Sequence, residues 1–146
     1  MMDVKIRRMN VRDIEEILRI NEKITGRPHE AYWESKIASY INRDPLACFV
    51  AEYGGRVVGF IVGEIRGWEF AIPRCGWLEI MGVDPSLQGR GIGRKLAEAL
   101  FNYFIENDVD TVMTMVNWND VHLIEYFRSL GFQRADFINL VKNLRK

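Results

Sequence analysis

Residues 86–96 read SLQGRGIGRKL, and this stretch decides how the chain is interpreted. Three glycines, Gly89, Gly91 and Gly93, stand close together before an apolar and basic segment. Glycine costs about 0.5–1 kcal/mol relative to alanine in a regular element, so its use here needs a compensating gain. The first turn of a helix leaves backbone N–H groups without intrahelical partners and carries a partial positive charge. The stretch therefore predicts a turn that holds an anion at a helix N-terminus, and the alternative is a tight connection that binds nothing.

The common phosphate-binding fingerprints do not fit this loop. A P-loop continues its last glycine with Lys and Ser or Thr, whereas Gly93 is followed by Arg94, Lys95 and Leu96. A dinucleotide fingerprint places a third glycine three residues after the second, and the two candidate positions hold Arg94 and Leu96. Arg90, Arg94 and Lys95 still supply cations beside the predicted helix start. The loop is therefore expected to bind the phosphate of a different ligand class.

Periodicity and turn signals predict one mixed α/β domain. Alternation at residues 4–7 predicts a strand, and Asn10 with Asp13 forms a loose capping box before a helix. Gly54 and Gly55 join two apolar runs as a hairpin. The predicted order is a strand, two helices, three strands, a helix, a strand (TVMTMVNWN, 111–119), a helix (DVHLIEYFRSLG, 120–131) and a last strand (FQRADFINLVKNL, 132–144).

Composition narrows the function classes. The chain has 146 residues, enough for one domain with a core, and its 20 basic and 20 acidic residues argue against a general nucleic-acid binder. Neither the cysteines, Cys48 and Cys75, nor the histidines, His29 and His122, have metal-ligand spacing, so no metal is expected. The first residues lack the apolar core of a signal peptide, and no apolar run approaches the ~20 residues of a membrane span. We therefore expect a cytoplasmic protein that binds neither nucleic acid nor membrane.

Two motifs carry a family resemblance. Residues 83–96, VDPSLQGRGIGRKL, resemble the acetyl-CoA motif of the GNAT superfamily of N-acetyltransferases, with Gln88–Gly93 as the Gln/Arg-x-x-Gly-x-Gly/Ala core. Residues 119–132, NDVHLIEYFRSLGF, resemble the later family motif, in which an Asn opens a helix that ends in Leu-Gly-Phe. The predicted order of elements agrees with the family from end to end. The resemblance implies a single N-acetyltransferase domain over residues 1–146, with a GNAT-like α/β fold in which helices flank a central mixed, mostly antiparallel sheet.

The resemblance also implies an activity. An acetyl group would pass from acetyl-CoA to a primary amine by direct transfer in a ternary complex. The acceptor would be a peptide N-terminus, a lysine or a small amine, and the protein would be a monomer or a homodimer. The loop amides would hold the CoA pyrophosphate, and the pantetheine arm would lie along the strand at 76–83. The residues expected to contact acetyl-CoA are Met81, Gly82, Val83, Gln88, Gly89, Arg90, Gly91, Ile92, Gly93, Arg94, Asn119 and Phe127.

Glu79 is the candidate general base, because it stands alone in the otherwise apolar strand GWLEIMGV at 76–83. Period-two alternation predicts that Trp77, Glu79 and Met81 share one face. Apolar neighbours would raise the pKa of the Glu79 carboxyl toward that of a useful base, and family members often place a base at or near this position. The alternative is a solvent-facing carboxylate without a role. Gly82 likewise is either a point where the strand splays or a simple packing glycine.

The candidate general acid departs from the family pattern. The family usually has a Tyr four residues before the Gly of Leu-Gly-Phe, whereas Phe127 holds that position and Tyr126 precedes it. One helical residue turns about 100°, so Tyr126 reaches the leaving sulfur only if the helix is distorted, and in a regular helix Phe127 packs there instead. Asp120 aligns best with the family Asn, with Asn119 beside it, and either can cap the helix. Phe127 also favours the alternative function, a non-catalytic module that binds or senses acyl-CoA.

By the same resemblance, the acceptor pocket lies in the two-helix segment and in the long loop before residue 76. Its aromatic candidates, for which core packing is the alternative, are Tyr32, Trp33, Tyr40, Trp68 and Phe70. The carboxylates of Glu64, Glu69 and Glu79 would favour a cationic amine. Cys48 and Cys75 lie outside both motifs, which disfavours an acetyl-cysteine intermediate.

Overall fold

The computed structural model describes residues 3–67 and 73–145. The helices and strands of this part of the chain follow one another in the predicted order as far as the fourth helix. The strands are β1 (Lys5–Arg8), β2 (Cys48–Tyr53), β3 (Arg56–Arg66), β4 (Cys75–Val83) and β5 (Val112–Met113), and the helices are α1 (Ile14–Thr25), α2 (Trp33–Arg43), α3 (Ile92–Glu106) and α4 (Val121–Ser129).

The strands form a single sheet in the order β1-β2-β3-β4-β5. Neighbouring strands from β1 to β4 are antiparallel, and β5 pairs with β4 in parallel. Gly54 and Gly55 turn the chain between β2 and β3 with φ angles of 60° and 76°. A two-residue hairpin of this twist requires positive φ at both positions, which glycine adopts without a steric penalty. The predicted mixed, mostly antiparallel sheet and the predicted hairpin are confirmed.

The predicted capping box fixes the entry into α1. The Asn10 side chain accepts the Arg12 N–H at 3.1 Å, and the Asp13 carboxylate accepts the Asn10 N–H at 2.9 Å. Arg7 of β1 donates from both terminal nitrogens to Asp13, each at 2.9 Å. Burial alone would raise the pKa of Asp13, but the hydrogen bonds from Arg7 and the Asn10 N–H together with the Arg7 charge outweigh it, and the pKa lies below its ordinary value. The first strand and the first helix are therefore held together by a polar clamp.

Helices α1 and α2 cover one face of the sheet. The sheet residues of this core include Cys48, Val50, Phe60 and Val62, which alternate along β2 and β3. A large apolar side chain that leaves water contributes about 1.5–3 kcal/mol, so these helices are held mainly by burial. The helix residues of the core are Ile14, Ile17, Leu18, Ile20, Ile37, Tyr40 and Ile41, with Trp33, Ala38 and Ile80 partly buried against them.

Helix α3 covers the opposite face and lies close to the backbone of the sheet. A Cβ added at Gly63 would lie 2.7 Å from Leu100, and one added at Gly76 would lie 2.5 Å from the ring of Phe104. Leu96, Leu100 and Phe104 recur every four residues and form one stripe along the helix. Because α3 begins at the glycine loop, this close packing also fixes the direction in which the helix N-terminus points.

The chain divides into two compact units, Met1–Met115 and Val116–Lys146. The second unit contains α4, whose N-terminus is capped by Asp120 through a hydrogen bond from the Leu123 N–H at 3.0 Å. Gly131, with φ of 96°, follows the end of this helix as predicted. Asp120 therefore has the capping role that the sequence left open between two neighbouring residues.

Two strand predictions near the C-terminus are wrong. The strand predicted over 111–119 is reduced to Val112–Met113, and residues 132–144 form no strand in the described chain. An alternating pattern becomes a strand only when a neighbour accepts and donates its ladder hydrogen bonds. No strand of the described residues pairs with 132–144. Apolar side chains of this segment are 82–97% exposed, at Ile138, Leu140, Val141 and Leu144.

Candidate active site

Strand β4 separates from its parallel neighbour after two residues. Gly76 and Trp77 pair with β5, and the Thr114 hydroxyl then donates to the Leu78 carbonyl at 2.9 Å. Residues 79–83 have β3 on one side and no strand of the described residues on the other. Such an edge presents main-chain N–H and C=O groups to an extended ligand. Met81, Gly82 and Val83, the residues of β4 that are predicted to contact acetyl-CoA, lie along this open edge.

A β-bulge directs the Glu79 side chain. In the register between β3 and β4, Val62 pairs with Ile80 and Gly63 pairs with Leu78, so Glu79 is the extra residue. A bulge of this kind turns two consecutive side chains toward one face of the sheet. Ile80 packs against the core under α1 and α2, and Glu79 points to the same face.

The bulge corrects the predicted orientation of Met81. Met81 pairs with Ile61, which alternates along β3 with Phe60, a residue of the core under α1 and α2. Met81 therefore lies on the α3 face, opposite Glu79. The prediction that Trp77, Glu79 and Met81 share one face is wrong for Met81, because the bulge inserts one residue into the period-two count.

Gly82 has a packing role. A Cβ at this position would lie 2.9 Å from Phe60 Cε1 and 3.0 Å from Ile24 Cδ1. Those distances are too short for a real side chain, so glycine lets α1 close against β4 beside the open edge. This geometry supports the packing alternative for Gly82, and its contact with acetyl-CoA stays a prediction.

Asp84 ties the end of β4 to the turn before the glycine loop. Its carboxylate accepts the Ser86 N–H at 3.0 Å and the Ser86 hydroxyl at 2.8 Å, and Lys23 of α1 donates to it at 2.7 Å. Burial would raise the pKa of Asp84, but the Lys23 and Ser86 hydrogen bonds outweigh it and lower the pKa to about 2. The start of the glycine loop is thus fixed to α1 by an ionised carboxylate.

The glycine loop ends at an uncapped helix N-terminus. Gly89 and Gly91 have φ angles of 79° and 81°, and among the described residues a Cβ at either would meet no atom within 4 Å. No side chain of residues 3–67 or 73–145 caps α3, and the first intrahelical bond runs from the Lys95 N–H to the Gly91 carbonyl at 3.1 Å. The amides of Ile92 and Gly93 precede that bond, so they point beyond the helix end. This geometry suits a pyrophosphate.

The other residues of the glycine loop anchor the helix start or add positive charge beside it. Ile92 is 2% exposed and anchors the helix start in the core, whereas Gln88, Arg90 and Arg94 are exposed. Exposed guanidinium groups near a helix N-terminus add to the attraction for an anion. The loop residues predicted from the sequence therefore lie together in one turn, and their contact with a ligand stays a prediction.

Glu79 lies at the end of a chain of four charged side chains. Arg66 of β3 donates from Nη2 to Glu79 Oε1 and from Nε to Glu64 Oε1, the latter at 2.5 Å. Arg43 of α2 donates to the other oxygen of Glu64 at 3.1 Å. The Arg66 guanidinium also lies over the Trp77 ring, 4.8 Å from its centroid. Sequence reasoning missed both arginines, although the spacing Glu64-x-Arg66 near the end of a strand is a signal that could have found one.

This environment determines the protonation of Glu79. Its side chain is 15% exposed, and burial raises the pKa of Glu79 above its ordinary value. Arg66 opposes that increase and Glu64 adds to it. The buried Tyr40 of α2 faces the same cluster, and burial together with the Glu79 charge raises the pKa of Tyr40. A carboxyl with a raised pKa beside an open strand edge is suited to accept a proton.

The second unit holds the other predicted site residues. Helix α4 is regular over Val121–Ser129, so the side chains of Tyr126 and Phe127 point in directions about 100° apart. Phe127 is buried and packs edge-on against Phe132, with ring centroids 5.3 Å apart. The Asn119 N–H donates to the Asn117 side chain at 2.8 Å, so its backbone belongs to the turn before the helix. The roles of Tyr126, Phe127 and Asn119 stay predictions.

The predicted acceptor aromatics divide into three groups. Tyr32 is 51% exposed and stacks on Trp33 at a centroid distance of 6.2 Å. Tyr40 belongs to the core and faces the Glu79 cluster. Trp68 and Phe70, together with Glu69, lie outside the described residues.

Cys48 and Cys75 are both buried, and burial raises the pKa of the Cys48 thiol to about 11, which makes it a poor nucleophile. Residues 3–67 and 73–145 contain no cluster of three or more His, Cys, Asp or Glu side chains that could hold a metal ion. None of the helices in these ranges combines the length and the apolar character that crossing a bilayer needs.

The fold and this geometry define an α/β protein in which an open strand edge leads through a glycine loop to the N-terminus of a helix. Residues 12–132 match the family model described as the acetyltransferase (GNAT) family, and the chain belongs to this family. The predicted resemblance is thus confirmed, together with the predicted fold class.

The chain is also similar to individual proteins, one by sequence and two by fold. It is 28% identical over 130 residues to a mycothiol acetyltransferase from Rhodococcus erythropolis, covering 84% of this chain and 44% of that protein. The chain thus spans less than half the length of this curated relative. Aminoglycoside N-acetyltransferase AAC(6')-Iy in complex with CoA has a TM-score of 0.82 at 18% identity, covering 99% of this chain and 97% of that one. The NatC complex bound to Gag peptide and CoA has a TM-score of 0.76 at 18% identity, covering 92% and 87%. At these identities the solved structures show the fold alone.

Proposed function

We propose that this protein transfers an acetyl group from acetyl-CoA to a primary amine by direct transfer in a ternary complex. The observation that carries the proposal is the junction of an open β4 edge with the glycine loop and the uncapped N-terminus of α3. In the overall reaction a C–N bond replaces the thioester C–S bond. An acceptor that arrives as an ammonium loses one proton before it attacks and a second as the amide forms, and the sulfur leaves as a thiolate that takes up a proton to give the free thiol.

Residues of the glycine loop and of β4 would bind the donor. The amides of Ile92 and Gly93, with Arg90 and Arg94 nearby, suit the pyrophosphate. The main-chain groups along residues 79–83 suit the extended pantetheine arm, and an N–H near Met81 would polarise the thioester carbonyl. No metal is needed for these interactions.

Glu79 would act as the general base. Its Oε1 is held by Arg66, and its Oε2 accepts no hydrogen bond from the described residues. An acceptor ammonium at Oε2 would lose its proton to the carboxylate, directly or through a water, and become nucleophilic. The related proteins are named for mycothiol and for aminoglycosides, and one is bound to a peptide. We therefore propose a small molecule or a peptide that carries an amine as the acceptor.

One observation favours a second candidate, a non-catalytic module that binds or senses acyl-CoA. Phe127 stands where the family usually has a Tyr, and it is buried against Phe132 without a polar group to offer. Release of free thiol from acetyl-CoA in the presence of a panel of amines separates the two candidates, because only the transferase releases it faster with a particular acceptor.

The donor site is tested by Gly91→Val. We expect acetyl-CoA to bind at least about tenfold more weakly by calorimetry, because a hydrogen bond to a charged group contributes about 1.5–3 kcal/mol and a side chain at this positive φ distorts the loop. Gly54→Val is the matched control, since Gly54 also has a positive φ of 60°, and no atom of the residues that the structure describes lies within 4 Å of a Cβ added there. Equal affinity of a folded Gly91→Val variant would exclude the pyrophosphate site.

A further inference from the structure

The charged cluster around Glu79 is a chain of hydrogen-bonded side chains that runs from Arg43 of α2 through Glu64 and Arg66 to Glu79 at the bulge. Arg43 is 55% exposed, Glu64 is 9% exposed, Arg66 is 29% exposed and Glu79 is 15% exposed, as measured for the side chains. The cluster contains two guanidinium groups and two carboxylates, so its four formal charges sum to zero. The cluster therefore offers little net charge to a distant ligand. The four residues differ in the hydrogen bonds that each of them makes.

Arg66 is the member that touches both carboxylates. Its Nε edge is engaged by Glu64, whose second oxygen is held by Arg43. The planar guanidinium of Arg66 lies over the Trp77 ring, and its Nη2 donates to Glu79. A planar guanidinium that is held at Nε and stacked on one face can present its terminal N–H donors in only a narrow range of directions. The Glu79 carboxylate is consequently held by a donor that is itself immobilised.

We propose that Arg66 is a positioning residue for Glu79: its immobilised, positively charged guanidinium holds the carboxylate at the β-bulge, with Oε2 directed to the acceptor amine. This inference rests on the proposed function, in which Glu79 accepts a proton. Arg66 itself contacts no reacting atom. Glu64 and Arg43 hold Arg66 in place, and Trp77 supports its guanidinium.

The electrostatic contributions around Glu79 give the direction of the test. Arg66 and Glu64 face it from β3, and Arg43 and Tyr40 face it from α2. Burial and Glu64 raise the pKa of Glu79, while Arg66 and Arg43 lower it. Removal of the Arg66 charge leaves burial and the Glu64 charge opposed by Arg43 alone, so the pKa of Glu79 rises. An adjacent Arg lowers a carboxyl pKa by about 1–3 units, which sets the expected size.

The experiment measures the Glu79 titration in the full chain by carbon-13 NMR of labelled glutamate carboxyl groups, with Glu79→Gln identifying the signal. For Arg66→Met we expect the midpoint to move up by about one pH unit or more, and the acid limb of the pH–kcat profile to move with it. Arg43→Met is the matched control, since it removes the same charge from the cluster one contact further away. Its shift should be clearly smaller.

Arg66→Lys separates charge from geometry. Lysine keeps the positive charge but lacks the planar fork, so the midpoint should return close to that of the wild type while kcat stays reduced and the acceptor KM changes little. Should Arg66→Met fail to fold, Arg66→Gln removes the charge while keeping a donor, and the same upward shift is expected. A merely structural role would lower stability and leave the midpoint and the pH profile in place.

An unchanged midpoint in a folded Arg66→Met or Arg66→Gln variant overturns the inference, and so does an equal shift in Arg43→Met. Failure of the proposed function has a different signature. In that case no amine accelerates thiol release by the wild-type protein, while the NMR titration still reports whether Arg66 controls the ionisation of Glu79.

Discussion

Asp84 offers a stability prediction whose size follows from the structure. Its carboxylate joins the end of β4, the turn before the glycine loop and α1 through Ser86 and Lys23. A pKa of about 2, against an ordinary value of 3.8, corresponds to about 2.4 kcal/mol at 1.36 kcal/mol per pKa unit. Lys23 is 42% exposed, so solvent screens part of its attraction. We expect Asp84→Asn to lower the free energy of unfolding at pH 7 by about 1–2.5 kcal/mol.

The pH dependence of this loss is fixed in sign. The pKa of Asp84 is lower in the folded than in the unfolded protein, so its contribution is complete above about pH 4 and disappears as the pH falls through about 2. Urea unfolding of the wild type and of Asp84→Asn between pH 7 and pH 2 should show a stability difference that shrinks toward low pH. Lys23→Met, which leaves the Ser86 hydrogen bonds, should cost less. A loss below about 0.5 kcal/mol at pH 7, the size of an ordinary surface substitution, would refute the reasoning.

Two predictions concern catalysis. Glu79→Gln should lower turnover at neutral pH by about 10²–10⁴-fold, with acetyl-CoA affinity nearly intact by calorimetry, because it removes the proton acceptor and leaves the loop unchanged. Wild-type pH–rate behaviour in this variant would remove Glu79 from the mechanism. Tyr126→Phe should change kcat by less than about tenfold, because α4 is regular and a thiolate with a pKa near about 8.5 leaves without a strong acid. Phe127→Tyr should keep or raise activity with the same acceptor, and a large loss in Tyr126→Phe with no gain in Phe127→Tyr would contradict this interpretation.

Local signals predicted most of the fold because each has a local physical cause. The capping box of Asn10 and Asp13 and the Gly54–Gly55 turn depend on residues within a few positions of one another. The start of α3 at Ile92 follows from the glycine loop before it. The last predicted strand failed because a strand depends on a distant partner, and residues 132–144 have none among the described strands.

The candidate site was predictable in its backbone and only partly in its side chains. The glycine loop and the lone Glu79 could be read from short stretches, because their chemistry is local. The partner of Glu79 could not, since Arg66 meets it only through the β3–β4 register and the bulge within it. The same bulge reversed the face predicted for Met81. A period-two count cannot reveal an inserted residue, because the ladder that shows the insertion is made with another part of the chain.

In the proposed reaction, residues 79–83 of β4 serve both substrates: their main chain binds the donor, and the Glu79 side chain faces the acceptor. The bulge sends the Glu79 side chain to the face covered by α1 and α2, where Arg66 holds it. The open edge at residues 79–83 lies in the plane of the sheet, so its main-chain groups point at right angles to that side chain. A donor along the edge and an acceptor beside Glu79 would therefore approach from different directions without competing for space. A covalent route would instead need a reactive nucleophile here, and Cys75, the thiol of β4 itself, is 4% exposed at the far end of the strand. The geometry of β4 thus favours simultaneous binding, which is what direct transfer requires.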